Sequence, residues 1–563
     1  MTSVNIASHL KEMARTQPDQ SAVLLPASRN ADGTSNYTKL TYRELDDISD
    51  ALAGGLQQLG IGRGVRTVLM VPPSLEFFVL TFALFKSGAV SVFVDPGMGV
   101  GNIGKCLAEA EPEAFIGIPK AHLARRLIGW GRPTLKRLVA VGRGAGWCRW
   151  LGENLTAWNI ADFSPPKLKD VPSLVDTRDD ETAAILFTSG STGVPKGAVY
   201  SHGNFAAQIE MLRKAFAIQP GEIDLCTFPL FALFAPALGM TAVVPRMDFT
   251  RPAKVDPPEI AGPIAQHAVA NLFGSPALLN RVGRFYENDD SRWPSIRRVL
   301  SAGAPVSPAI IERFTRHLAP GVQVYTPYGA TESLPVAVIG SDEILQETRY
   351  QTAQGAGTCV GRPVDGIHVS IIRITDTPIA TWDESLVLPP GEIGEIVVGG
   401  LNVMQEYFHR PDLTALAKID DPTSGRKRHR MGDVGYFDPA GRLWFCGRKS
   451  HRVITPERTL FTEPVEGILN THPAVFRTAL VGVERNGRME PVLCVERESE
   501  QSPGTKLSDA DLVRELLDLG SKFEASRPIK TILFHHAFPV DIRHNSKIFR
   551  EKLAIWARRK LEG

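Results

Sequence analysis

Ala184 to Phe187 is apolar at every position, and Thr188-Ser-Gly-Ser-Thr-Gly-Val-Pro-Lys-Gly197 follows it without a break. A short, wholly apolar run bounded by small polar residues reads as a strand buried on both faces. Such a strand needs helices on either side, so this one junction points to an α/β chain with parallel sheet. Leu45 to Leu59 and Glu76 to Lys86 have helical spacing, and they alternate with the apolar runs Val68 to Val71 and Val90 to Val94. The alternation predicts a large N-terminal part of packed, mostly parallel sheets with helices.

The texture changes beyond Gly391. Gly394-Glu-Ile-Val-Val-Gly-Gly400 and Arg442-Leu-Trp-Phe-Cys446 read as short strands with tight turns, a small antiparallel β-module. After Gly447 a separate small α+β unit is expected. Ala479 to Val483 and Val492 to Val495 are its strands; Leu507 to Leu519 is a helix with Ser508 or Asp509 at its N-cap. The boundary falls near Arg448 to Ser450, giving residues 1–448 and a mobile 449–563.

Composition narrows the function classes. At 43% hydrophobic and 22% charged, the chain has ample material for a core. Its 63 Lys and Arg against 61 Asp and Glu leave no bulk charge that would favour nucleic acid. Six scattered cysteines without a C-x-x-C suggest neither a zinc knuckle nor a disulfide framework. Met1 to Asp19 lacks an apolar core, so no secretory leader and a cytoplasmic location are expected. Leu225 to Pro245 carries no charge and approaches the length of a membrane span, but Pro229, Pro236 and Pro245 would break a spanning helix. It reads as a buried stretch beside a greasy cavity, with no transmembrane segment.

The loop after Phe187 carries the strongest chemical signal. Thr188, Ser189, Ser191 and Thr192 supply hydroxyls, Gly190 and Gly193 bring backbone N–H groups close, and Lys196 adds a positive charge. Such a loop can wrap polyphosphate oxygens. It is not a Walker A sequence. The plain alternative is a surface loop, which would rarely combine this order, this lysine and a buried strand before it.

The loop resembles the phosphate loop of the acyl-adenylating superfamily: acyl-CoA synthetases, peptide-synthetase adenylation domains and luciferases. The resemblance runs through most of the chain. Leu40-Thr-Tyr-Arg-Glu-Leu45 and Phe85 to Pro96 are similar to its early motifs. Tyr328-Gly329-Ala330-Thr331-Glu332 matches the segment that packs adenine, meets the α-phosphate through Thr331 and holds Mg²⁺ through Glu332. Gly303-Ala304-Pro305 resembles the other wall of the adenine site. Met431-Gly-Asp-Val-Gly435 makes Asp433 the ribose acceptor, and Arg448 looks like the second ribose contact. Pro539 to Arg550 resembles the final motif, with Lys547 as catalytic lysine. The resemblance implies ATP and Mg²⁺, with residues 1–448 as the adenylating domain and 449–563 as a lid. The roles make physical sense: Lys196, Lys547 and magnesium neutralise charge as a carboxylate attacks the α-phosphorus.

Departures from the pattern narrow the substrate. The hinge reads Gly447-Arg-Lys-Ser-His-Arg-Val-Ile-Thr-Pro-Glu457. Ser450 stands at the usual hinge position, Ile454 replaces a lysine, Pro456 stiffens the turn, and Glu457 stands where thioester-forming relatives have glycine. Asn545 and Ser546 also depart from the family before Lys547. Ala232 occupies a position that is histidine in many relatives. With Phe231, Phe234 and Met240 it suggests a long alkyl pocket. This combination resembles the β-lactone synthetase subfamily of bacterial olefin biosynthesis. That resemblance implies a long-chain 2-alkyl-3-hydroxy acid, intramolecular closure of its adenylate to a β-lactone without an external thiol, and an assembly with the other enzymes of that pathway. The alternatives are a long-chain acyl-CoA or acyl-AMP ligase and a catalytically dead lipid-binding protein.

Overall fold

Leu75–Lys86 shows how local sequence builds the interior. Ser74 caps the helix by accepting from the Phe77 amide, and the ten residues Phe77 to Lys86 are all buried. Lys86 is fully buried, and Asp46 and Asp50 of the neighbouring helix Tyr42–Gln58 pair with its ammonium. A buried charge survives only with such partners. The computed structural model describes residues 4–31, 34–142, 155–158, 174–189, 195–228, 232–498, 507–540 and 548–562.

The apolar runs form two large sheets. The first has seven strands, in the order Leu155–Trp158, Arg137–Val141, Ala114–Gly117, Arg66–Met70, Val90–Val94, Thr182–Ser189, Pro195–Ser201. All neighbours are parallel except the last pair, an antiparallel ribbon that sets Thr188 opposite Lys196. The second sheet has fourteen strands. From Ser21–Arg29 to Gln323–Ala330 it is parallel, with Ser35–Thr41 an antiparallel edge; from Gln323–Ala330 onward every pairing is antiparallel. The antiparallel β-module expected after Gly391 is present and continuous with this sheet, through Thr358–Pro363. The main core cluster draws on both sheets and on the helices Tyr42–Gln58, Leu75–Lys86 and His202–Ala215 between them.

Beyond Val453 the chain has a three-stranded sheet, Val475–Arg485, Arg488–Arg497 and Thr531–Phe534, covered by helices Thr462–Leu469, Asp509–Ser521 and Arg550–Glu562. Among the described residues its two apolar clusters contain none before Val453. Ser508, rather than Asp509, caps the second helix, accepting from the Asp511 amide. The described residues of Leu225 to Pro245 include the end of a strand, a one-turn helix Phe234–Ala237 and the strand Thr241–Val243. Among the described residues no helix is long and apolar enough to cross a membrane.

Candidate active site

Glu332 sits in the turn between Gln323–Ala330 and Ser333–Gly340, where the large sheet changes from parallel to antiparallel. Two side chains from elsewhere converge on its buried carboxylate. Lys196, from the strand Pro195–Ser201 of the other sheet, places its ammonium 3.3 Å away. The Tyr407 hydroxyl donates to Glu332 and accepts from Lys196 Nζ at 2.7 Å. Burial alone would raise the Glu332 pKa, but the Lys196 charge and the Tyr407 hydroxyl outweigh it and hold the carboxyl at about 2. The result is a hard anionic oxygen donor, the kind magnesium prefers.

Backbone contacts make this meeting of two sheets possible. Tyr407 bridges to Ala198, the Val199 amide reaches the Glu406 carbonyl at 3.2 Å, and the Phe408 amide reaches the Gly197 carbonyl at 2.8 Å. The Met404 amide donates to the Glu332 carbonyl at 3.1 Å. The segment 401–408 therefore straps the antiparallel ribbon that carries Lys196 to the turn that carries Glu332. Tyr200 adds a further tie, its buried hydroxyl donating to the Thr331 carbonyl.

A second cluster forms on Arg426–Phe437 and Leu443–Arg448, where Asp433 and Arg448 are paired across the ladder. The Tyr328 hydroxyl donates to Asp433 Oδ2 at 2.6 Å, and Arg448 Nη1 lies 2.9 Å from Oδ1. That second contact is an ion pair without hydrogen-bond alignment, so Oδ1 is a buried acceptor with no hydrogen-bond donor among the described residues. Burial raises the Asp433 pKa, opposed by Arg448 and Tyr328. An anionic acceptor held by a guanidinium, with lone pairs to spare, suits a vicinal diol. Gly303, Ala304 and Pro305 follow Arg298–Leu300, the parallel neighbour of the strand that carries Tyr328, Gly329 and Ala330.

Ala232 and Met240 are buried in the main core cluster, and Phe234 packs against it. The Phe234 ring lies 6.2 Å from Phe205, which stacks on Tyr200 at 4.9 Å. Apolar wall and Thr331 are thus joined through three aromatic rings. The Met240 carbonyl accepts from Tyr42 at 2.9 Å and its sulfur meets the Asn271 amide at 3.2 Å, so this residue also ties helix to sheet. Gly190, Ser191, Thr192, Gly193, Phe231 and Lys547 lie outside the described residues, as do the side chains of Thr188 and Ser189.

Three residues at this centre escaped the sequence reading: Tyr407, Lys418 and His429. Lys418 and His429 face each other across the pair Lys418–Asp421 and Arg426–Phe437, and both are buried. Burial pushes the Lys418 ammonium down to about 7, against the pull of Glu332. Burial and the adjacent Lys418 push His429 far below the usual imidazole range.

The profile of the AMP-binding enzyme family matches residues 10–408. The chain belongs to this family. Two relatives match along nearly their whole length. Olefin beta-lactone synthetase of Stenotrophomonas maltophilia (strain K279a) is 51% identical, the match covering 99% of both chains. Olefin beta-lactone synthetase of Xanthomonas campestris pv. campestris is 51% identical, over 99% of this chain and 98% of that one. The fold is shared with the amide bond synthetase McbA from Marinactinospora thermotolerans, at a TM-score of 0.77 and 22% identity, over 98% of this chain and 99% of that one.

Proposed function

We propose that the chain is an ATP-dependent β-lactone synthetase acting on a long-chain 2-alkyl-3-hydroxy acid. The observation that carries this reading is 51% identity, over 99% of the chain, to two proteins named olefin beta-lactone synthetase. In the first step a carboxylate oxygen of the acid attacks the α-phosphorus of ATP and the bond to pyrophosphate breaks. In the second the 3-hydroxyl oxygen attacks the acyl carbon, the bond to AMP breaks, and the hydroxyl proton is released. No external thiol enters the balance.

The two clusters support the nucleotide half. Asp433 accepts the ribose hydroxyls beside Arg448, and Tyr328 and Gly303–Ala304–Pro305 flank the adenine. Gly329 and Ala330 pack the adenine with Tyr328, and Thr331 meets the α-phosphate. Thr188 to Gly193 and Lys196 hold the polyphosphate. Among the described residues there is no group of three or more His, Cys, Asp and Glu suited to a metal. Glu332 is the residue that would hold a divalent ion here. Mg²⁺, when bound, neutralises polyphosphate charge. Phe231, Ala232, Phe234 and Met240 form the acyl wall. Residues 1–448 are the adenylating domain and 449–563 the lid that brings Lys547 to the reacting carboxylate. The protein works in the cytoplasm beside other enzymes of olefin biosynthesis.

Coenzyme A is disfavoured as acceptor. Pro456 and Glu457 lie in the turn between Val453–Ile454 and Thr459–Leu460, closed by Thr455 N–H to the Arg458 carbonyl at 2.9 Å. Pro456 rigidifies that turn, and Glu457 adds an exposed anionic side chain beside the route a phosphate-bearing thiol would take. The test is pyrophosphate release from ATP and a synthetic 2-alkyl-3-hydroxy acid, with and without coenzyme A. Release without the thiol is expected; a strict thiol requirement makes the protein an acyl-CoA ligase, and no release overturns the adenylating reading.

A further inference from the structure

Lys418 is buried to 4% exposure. Its ammonium has one hydrogen-bond partner among the described residues, the Met404 carbonyl. The amide of the same Met404 donates to the Glu332 carbonyl at 3.1 Å. Directly opposed residues of an antiparallel pair share a face of the sheet, so Lys418 and His429 lie side by side. His429 adds no charge beside it: its Nδ1 donates to the Ala417 carbonyl at 3.1 Å, and burial together with Lys418 favours the neutral ring.

The chain of contacts Lys196–Tyr407–Glu332–Met404–Lys418 thus holds two amines and one carboxylate. Glu332 already pairs with Lys196. Asp433 pairs with Arg448 and is not a counter-ion for Lys418. A buried amine without a carboxylate of its own costs free energy unless an anion arrives to use it. The field of an arriving polyphosphate favours its ammonium form.

We propose that Lys418 is a positioning residue for the polyphosphate of the nucleotide: it fixes the 401–408 strap that delivers Tyr407 to Glu332, and it supplies beneath them a positive charge that the β- and γ-phosphates complete. Lys418 acts through Glu332 and Tyr407 and does not touch the reacting carboxylate. The inference rests on the reading of this centre as a nucleotide site.

The experiment is a calorimetric titration of the full chain with Mg²⁺·ATP and, separately, with AMP, without acid substrate. Lys418→Met should weaken Mg²⁺·ATP by about tenfold or more, the scale of losing one well-placed charge, and leave AMP within about twofold. AMP lacks the two phosphates in question but keeps the contacts to Asp433, Tyr328 and Thr331. Lys418→Arg, which keeps the charge, should restore Mg²⁺·ATP affinity to within about threefold. Should Lys418→Met fail to fold, Lys418→Gln can still donate to the Met404 carbonyl and carries the same comparison. Equal weakening of both nucleotides would mean a merely structural lysine, and unchanged ATP affinity would mean no role at all; either overturns the inference. A wild-type chain that binds neither nucleotide overturns the nucleotide-site reading and this inference with it.

Discussion

The hydroxyl of Tyr407 donates to the carboxylate of Glu332, 75 residues earlier in the chain. Through this contact the strap 401–408 ties the sheet that carries Lys196 to the sheet that carries Tyr328. It also fixes the orientation of a buried carboxylate, the one proposed above as the ligand of a metal.

Glu332→Gln should lower pyrophosphate release by about 100-fold with the fold intact, because it removes a charge that the transition state uses while preserving volume. Thermal unfolding should shift little beside the loss of rate. A variant with normal rate and unchanged magnesium dependence would show that another group holds the metal.

Tyr407→Phe keeps the ring over Lys196, whose Nζ lies 4.3 Å from the ring centroid, and removes only the hydroxyl. Adenylation should fall by roughly tenfold, the scale of one buried hydrogen bond to a charged group. Steady-state kinetics should place the loss in the magnesium and ATP dependence rather than in the KM for the acid.

Glu463, from helix Thr462–Leu469 of the C-terminal unit, accepts from the Thr358 hydroxyl at 2.7 Å. Gly447, at φ +120°, lets that helix approach; a Cβ there would collide with the Thr462 hydroxyl. Burial raises the Glu463 pKa from 4.5 to about 7. A carboxyl raised on folding binds more protons folded than unfolded, so its contribution is complete below about pH 4.5 and is lost as pH rises through about 7. The helix should hold the large domain more firmly at pH 5 than at pH 8, and Glu463→Gln should flatten that dependence. Limited proteolysis near residues 449–452 across this range reads it directly.

Much of this was legible in the amino-acid sequence. Lys196, Glu332 and Asp433 stand in local motifs, and the first of these follows the apolar run Ala184 to Phe187, which reads as a strand. Tyr407 was not legible, because its role comes from a bridge to Ala198 more than 200 residues away. Lys418 and His429 were hidden for another reason. His429 lies in Arg426-Lys-Arg-His-Arg430, a charge run that reads as a solvated face. Folding buries His429, Arg430 and Met431 in succession, with Arg430 neutralised by Glu395 at 2.6 Å. Nothing local to the run announces Glu395 or Glu332.

Lys547→Ala should nearly abolish adenylation, by about 100- to 1000-fold, the usual cost of one preorganised charge-stabilising group. Nucleotide binding should survive, because Asp433, Arg448 and Tyr328 stay in place. Near-normal pyrophosphate release would transfer the role to another lysine of the C-terminal unit, such as Lys530 or Lys552.

The central claim is the second step, and the product tests it. The full chain, ATP, Mg²⁺ and a synthetic 2-alkyl-3-hydroxy acid are combined without coenzyme A, and the organic phase is analysed by mass spectrometry and infrared absorption. The account predicts AMP and a product lighter than the acid by one water, with the carbonyl stretch of a strained four-membered lactone. Accumulation of the open acyl adenylate, or a product formed only when a thiol is added, would contradict it.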